Sequence, residues 1–332
     1  MDELERRVRA ARPMSGNRDL PLTDRAKREL ADLLLSRPNI APHRERAAEA
    51  RRRNSARVTR RLAAVAVILV AVILASTVVP DVIPNGSAQA ATPAPLVTSA
   101  IAGSTAETLA RLKIAKQNDR SDPGNSIRFQ SWELNTEIDG NNEIVSSSIE
   151  PYRSETTFAP DGSVHSILTA AEPFPGQDAS GLPTPGTVIA DETLAPGEYE
   201  SPYDKPLPTD AARIGTYLAR YRGERPPLTA GAAIREISGL LSSVILTREQ
   251  ETAIISYLQT LDGLTVAGTV TDRLGREGIA FAATDRRPGE YEDYVIISPN
   301  TGSIIAAETV YIGSQRTDIA SPSVVDYTAW ER

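Results

Sequence analysis

Cysteine is absent from all 332 residues, and histidine occurs only twice, at His43 and His165. The first absence excludes disulfide staples, a thiol nucleophile and any zinc site built on thiolates. The second leaves very little imidazole for acid–base work or metal binding. Aromatic side chains make up only 5% of the chain, so each tryptophan and tyrosine in a buried position carries unusual weight. No G-x-S-x-G, H-E-x-x-H, P-loop or G-x-G-x-x-G sequence is found, which removes the common hydrolase, metalloprotease and nucleotide-binding signatures. Acidic residues are abundant, among them Asp119, Asp122, Asp139, Glu143, Asp191 and Glu192, but none has the spacing of a calcium loop. No catalytic, cofactor-binding or metal-binding residue is expected, and the chain reads as a non-enzyme.

Long apolar runs are lacking too, with one exception. Leu62 to Val79 holds 18 residues without a charge. At about 1.5 Å per residue such a helix reaches roughly 27 Å, close to the hydrocarbon thickness of a bilayer. Charge divides around it. Residues 1–61 carry 17 Lys/Arg against 9 Asp/Glu, whereas the remainder carries 19 against 34, and no Lys or Arg occurs from Pro80 to Ala110. The positive-inside rule therefore predicts a cytoplasmic N-terminus and an extracytoplasmic C-terminal region of about 250 residues. Ala88-Gln89-Ala90 resembles an export cleavage site, and Arg60-Arg61 a fragment of a twin-arginine signal. The 61 residues before the run are too many for a signal peptide, so a transmembrane signal-anchor over 62–80 is the expected element.

Organisation follows from punctuation. Residues 1–61 read as a basic helical arm in which Leu30, Leu33 and Leu34 form a narrow apolar stripe, the candidate partner-binding face. The eight arginines of 44–61 lie beside the inner membrane face, where phospholipid is the nearer anion, so nucleic acid is not an expected partner. Residues 81–103 read as a flexible linker. An extracytoplasmic α+β domain is predicted over 104–312, with an antiparallel sheet and amphipathic helices on one face. Ser104-x-x-Glu107 and Thr247-x-x-Gln250 match capping boxes, Gly140-Asn141-Asn142 and Asp161-Gly162 are hairpin turns, and Asn300-Thr301-Gly302 requires positive φ at Gly302. Trp132, Leu134 and Ile138 share one face of a strand at period two. The stretch 171–208, with eight prolines and four glycines, is expected to be a loop. Residues 313–332 form a tail that adds an edge strand through Val324, Val325 and Tyr327. His165 is expected on a sheet surface, and Asp272, Gly275 and Arg276 in a tight turn.

Three segments, LPTDAARIGTYLARYRG (207–223), LDGLTVAGTVTDRLGREGIAF (261–281) and ISPNTGSIIAAETV (297–310), follow the Arg-rich arm and the apolar run. Together they resemble a family of uncharacterised actinobacterial single-pass membrane proteins often encoded beside a sigma factor gene. Ser298 stands before Pro299 where the family usually has aspartate. The resemblance implies a membrane-bound regulatory partner of a sigma factor. More remotely, the alternation of hairpins and helices is similar to periplasmic half-barrel sensors and lipoprotein carriers. That is a fold-level analogy, and fold does not fix function. The alternative reading is an anchored module whose concave sheet holds a lipid or peptide, with the arm only a topogenic tether.

Overall fold

The computed structural model describes residues 90–138, 144–203 and 206–332. The apolar run 62–79, the arm with Leu30, Leu33 and Leu34, and the turn Gly140-Asn141-Asn142 lie outside the described residues. Among the described residues, no helix is long and apolar enough to cross a membrane.

The chain forms α1 (Thr105–Asn118), then β1 (Ser126–Ile138), β2 (Ile144–Ile149), β3 (Tyr152–Phe158), β4 (Val164–Ala170) and β5 (Val188–Leu194). Helices α2 (Ala211–Arg222), α3 (Ala230–Leu241) and α4 (Arg248–Leu258) follow, and then β6 (Thr265–Thr271), β7 (Glu277–Ala283), β8 (Tyr291–Ile297), β9 (Ile304–Tyr311) and β10 (Ser323–Trp330). The strands make one antiparallel sheet in the order β5-β4-β3-β1-β10-β9-β8-β7-β6, with β2 paired to the outer half of β1. The expected α+β architecture with helices on one face is present among the described residues.

Local chemistry explains each helix. Ser104 and Thr247 close both expected capping boxes, while Asp210 and Thr229 cap α2 and α3. Their apolar stripes converge on alternate sheet residues, so Ile234, Ile237, Leu240 and Ile254 pack over Phe281, Val295, Ile297 and Trp330. This helix face is the main core. Gly215 lets α2 meet α4 closely, because a Cβ there would lie 2.6 Å from the Tyr257 ring. Hairpin turns behave as expected: Gly162 and Gly302 have φ of 87° and 66°.

Two expectations are corrected. The tail 313–332 supplies β10, which lies at the centre of the sheet between β1 and β9 rather than at an edge. Its residues are buried from both sides, Trp330 toward the helices and Tyr327 toward the opposite face, and Asp326 interrupts the apolar pattern that marks a central strand. The linker 81–103 is structural at least from residue 90. Ala90 bridges Ile319, Val324 donates its N–H to the Pro93 carbonyl, and Ser99 exchanges two backbone bonds of 2.9 and 2.8 Å with Thr269. Proline-rich sequence lacks the donors for a ladder, yet its carbonyls and rings still serve a strap laid across strands. The stretch 171–208 is mostly loop, but β5 within it pairs with β4.

Candidate ligand-binding face of the sheet

Every sheet has two faces, and here the second is the less ordinary one. Period-two alternation sends Ala280, Ile296, Ala306, Val310, Ala329 and Tyr327 away from the helices into a separate apolar cluster. No helix covers it. Instead the strap 90–99 crosses it from β10 to β6, with Pro93 buried and Leu96 packed against the cluster while Val97 points outward at 87% exposure. Under Pro95, Leu96 and Thr98 remains a cavity of about 10 Å³, bounded by Val270, Tyr294 and Glu308. That admits about one water. The loop after β4 closes the neighbouring part with Phe174, whose ring lies 5.8 Å from that of Trp132.

Polar groups on this face are few and clustered. Glu308, 3% exposed, sits on β9 between Tyr294 of β8 and Tyr327 of β10. Arg273, from the β6–β7 turn, folds over the face and donates to Glu308 through Nε (2.7 Å) and Nη2 (3.2 Å). The same Nη2 donates at 2.8 Å to the carbonyl of Ala94, tying the strap to the sheet. Burial pushes the Glu308 carboxyl above its usual range, with Arg273 opposing. The Arg273 guanidinium also lies 5.2 Å from the Trp132 ring and 5.8 Å from the Tyr327 ring, and these two rings meet at a 33° tilt with centroids 4.3 Å apart. Burial, with Asp272 and Glu308 nearby, raises the Tyr327 phenol above its ordinary value. Trp132 Nε1 and Tyr327 Oη are buried without a hydrogen-bond partner among the described residues.

The features singled out in the sequence fall elsewhere. Leu30, Leu33 and Leu34 lie outside the described residues. His165 is half-buried on β4 and pairs at 2.7 Å with Asp191 on β5. Asp272 accepts from the N–H groups of Leu274 and Arg276 and from the Arg276 guanidinium, closing the β6–β7 turn with Gly275 at φ 78°. Asp119 is held by Ser121 and Lys116 at the end of α1. Among the described residues no group of three or more acidic or imidazole side chains is arranged to hold a metal ion. Ile138, predicted to share the Trp132 face, is 57% exposed at the end of the β1–β2 hairpin.

No family model matches the chain, and no curated protein matches it. Among solved structures it is similar to MucB, with 13% identity over 68% of this chain and a TM-score of 0.27. The complex of Pseudomonas aeruginosa MucA and MucB gives 10% identity, 68% coverage and a TM-score of 0.25. This chain spans about half of those structures, 56% and 55% respectively. A Vibrio parahaemolyticus domain described as outer membrane lipoprotein-sorting is similar at 12% identity over 69% of this chain and 92% of that one, with a TM-score of 0.21. Scores this low leave the functional reading to the residues of the chain itself.

An apolar floor with one neutralised ion pair and two spare donors suits an elongated, mostly apolar guest. Reading the sequence missed this site because its polar members, Trp132, Arg273, Glu308 and Tyr327, are spread over almost 200 positions. The one available signal was compositional: in an aromatic-poor chain, Trp132 and Tyr327 both stand in apolar strand patterns.

Proposed function

We propose that the described region is an extracytoplasmic binding module, carried on the membrane by 62–79, whose strap face holds an elongated apolar ligand. The observation supporting this is the strap itself: a segment of the chain lies across a continuous apolar sheet face and fills it almost completely. A structural connector between an anchor and α1 needs no such path. In this reading the strap is the resting occupant, and a guest takes the place of its middle.

The test uses full-length protein in dodecyl maltoside and a photoreactive alkyl diazirine with no carbonyl group. Replacing residues 91–98 by a Gly/Ser segment of equal length should increase cross-linking to peptides containing Val270, Ile296 and Val310. Labelling confined to 62–79 in both proteins would remove the proposal.

The charge division and the leucine stripe support a second reading, a regulatory protein whose cytoplasmic arm contacts a sigma factor through Leu30, Leu33 and Leu34. Affinity capture with the full chain and with a variant lacking residues 2–40 tests it. A sigma factor recovered only with the intact arm supports this reading, and equal recovery without any transcription protein removes it.

A further inference from the structure

Trp132 and Tyr327 pose a specific problem. The two residues are 4% and 1% exposed, their rings are in contact, and neither Nε1–H nor Oη–H has an acceptor among the described residues. A buried donor without an acceptor forfeits the hydration it would have in the unfolded chain, so two on adjacent strands form a costly arrangement unless something uses them. The strap does not. Its Ala94 carbonyl goes to Arg273 and its Pro93 carbonyl to the Val324 N–H. The small cavity below it is lined by Glu308 and Tyr294 but by neither donor. The resting occupant therefore fills the apolar floor and leaves the polar end of the site unsatisfied.

We propose that Trp132 Nε1–H and Tyr327 Oη–H form a subsite that donates to the carbonyl oxygen of an acyl ester whose hydrocarbon chain lies along the strap face. The inference rests on the binding-module reading and adds the chemical class of the guest. Indole nitrogen is a donor only, so the subsite selects an acceptor. Both donors are neutral, and the charged groups nearest them are already paired, Arg273 with Glu308 at 2.7 Å and Arg276 with Asp272 at 2.6 Å. A free carboxylate would enter beside Glu308 with no uncommitted cation. An ester carbonyl needs only the two donors. Ala280, Ile296 and Val310 then meet a chain without polar groups of its own, as they now meet Leu96.

The experiment again uses the full chain in dodecyl maltoside, a detergent without carbonyl groups, with the indole nitrogens labelled for NMR. The protein has two tryptophans, and they sit on opposite faces: Trp330 Nε1 donates to Ser242 Oγ under the helices, providing an internal reference. Methyl laurate should move the Trp132 indole proton downfield and leave that of Trp330 in place, whereas dodecane should move neither downfield. Dilauroyl phosphatidylglycerol, titrated in parallel, distinguishes a membrane-derived ester from a free one; a response to either supports the subsite, and the larger response identifies its source. Trp132→Phe and Tyr327→Phe should each weaken methyl laurate competition against the alkyl diazirine about fivefold to tenfold while leaving labelling by the diazirine unchanged. If the ester competes no better than dodecane and both variants behave as wild type, the subsite is overturned and the apolar groove stands. If no hydrocarbon probe enters the face, even with the strap replaced, both proposals fall.

Discussion

Gly268 offers the sharpest test of the strap as an element that can be released. Its φ is 137°, and a Cβ built there would lie 2.2 Å from the Ser99 carbonyl oxygen and 2.7 Å from its carbon. Gly268→Ala therefore meets two separate penalties. Backbone strain in a region that L-residues rarely adopt costs about 1–3 kcal/mol. The overlap with Ser99 cannot be absorbed by a side-chain movement, because both contacting atoms are backbone. Detaching Ser99 sacrifices its two bonds with Thr269, worth about 1 kcal/mol each, so withdrawal of the strap end costs about 2 kcal/mol and relieves the clash. The expected result is loss of amide protection at Ser99 and Thr269 in hydrogen exchange, together with a global loss of about 3–5 kcal/mol in chemical denaturation. Gly275→Ala is the control. Its φ is 78° with nothing within 4 Å of the added Cβ, so it carries strain without collision and should leave Ser99 protected. Unchanged protection at Ser99 in Gly268→Ala would refute the reasoning, because the strap would then tolerate a group in the space it is said to fill.

Other perturbations probe the surroundings. Arg273→Ala leaves Glu308 buried without its partner and should destabilise the fold by about 3–5 kcal/mol in chemical denaturation, with Arg273→Lys recovering part of the loss. Asp119 tests the pH dependence. Against the cost of burial, hydrogen bonds from Ser121 and Lys116 lower its pKa from 3.8 to about 2, so its contribution is present above 3.8 and is lost as pH falls toward 2. Asp119→Asn should therefore shrink the stability difference between pH 5 and pH 2.5 by on the order of 1–2 kcal/mol. Gly215→Ala drives a methyl into the Tyr257 ring and should cost about 1–3 kcal/mol by thermal unfolding, with no effect on labelling of the strap face.

Legibility in the sequence tracked locality. Capping boxes act within three residues, and two of the four helices among the described residues begin at the boxes legible in the sequence, Ser104 and Thr247. Hairpins β6–β7 and β8–β9 likewise follow from alternation and turn glycine over short separations. Strand order did not. That β10 enters beside β1 depends on pairing Trp132 with Tyr327 across 195 positions, and nothing in either segment encodes the other. The strap was missed for a related reason. A run of Ala, Pro, Ser and Thr lacks periodicity of its own, and its order comes from the surface it covers: Pro93 and Leu96 are held because the strap face is apolar.

The strap's hydrogen bonds divide it into parts with different tasks. Its own N–H groups donate only at Ala90 and Ser99 among the bonds of the described residues, so the ends are tied into the sheet by donors and acceptors alike. Between them Thr92 Oγ1 donates to Ser323 Oγ at 2.6 Å, and from residue 93 to 98 the segment accepts at Pro93 from Val324 and at Ala94 from Arg273 and rests on apolar contact through Leu96. The end at Ser99 also satisfies the outer side of β6, the last strand of the sheet, which Thr105 covers again through its bond to the Val266 N–H. Full departure of the strap would bare that edge and invite pairing with another chain. Lifting of residues 93–98 alone uncovers the apolar floor beneath Pro95 and Leu96 while the edge stays closed. The cost is two bonds to the strap's carbonyls and the burial of Leu96, a few kcal/mol in all, which a guest that satisfies both donors and covers the same floor can offset.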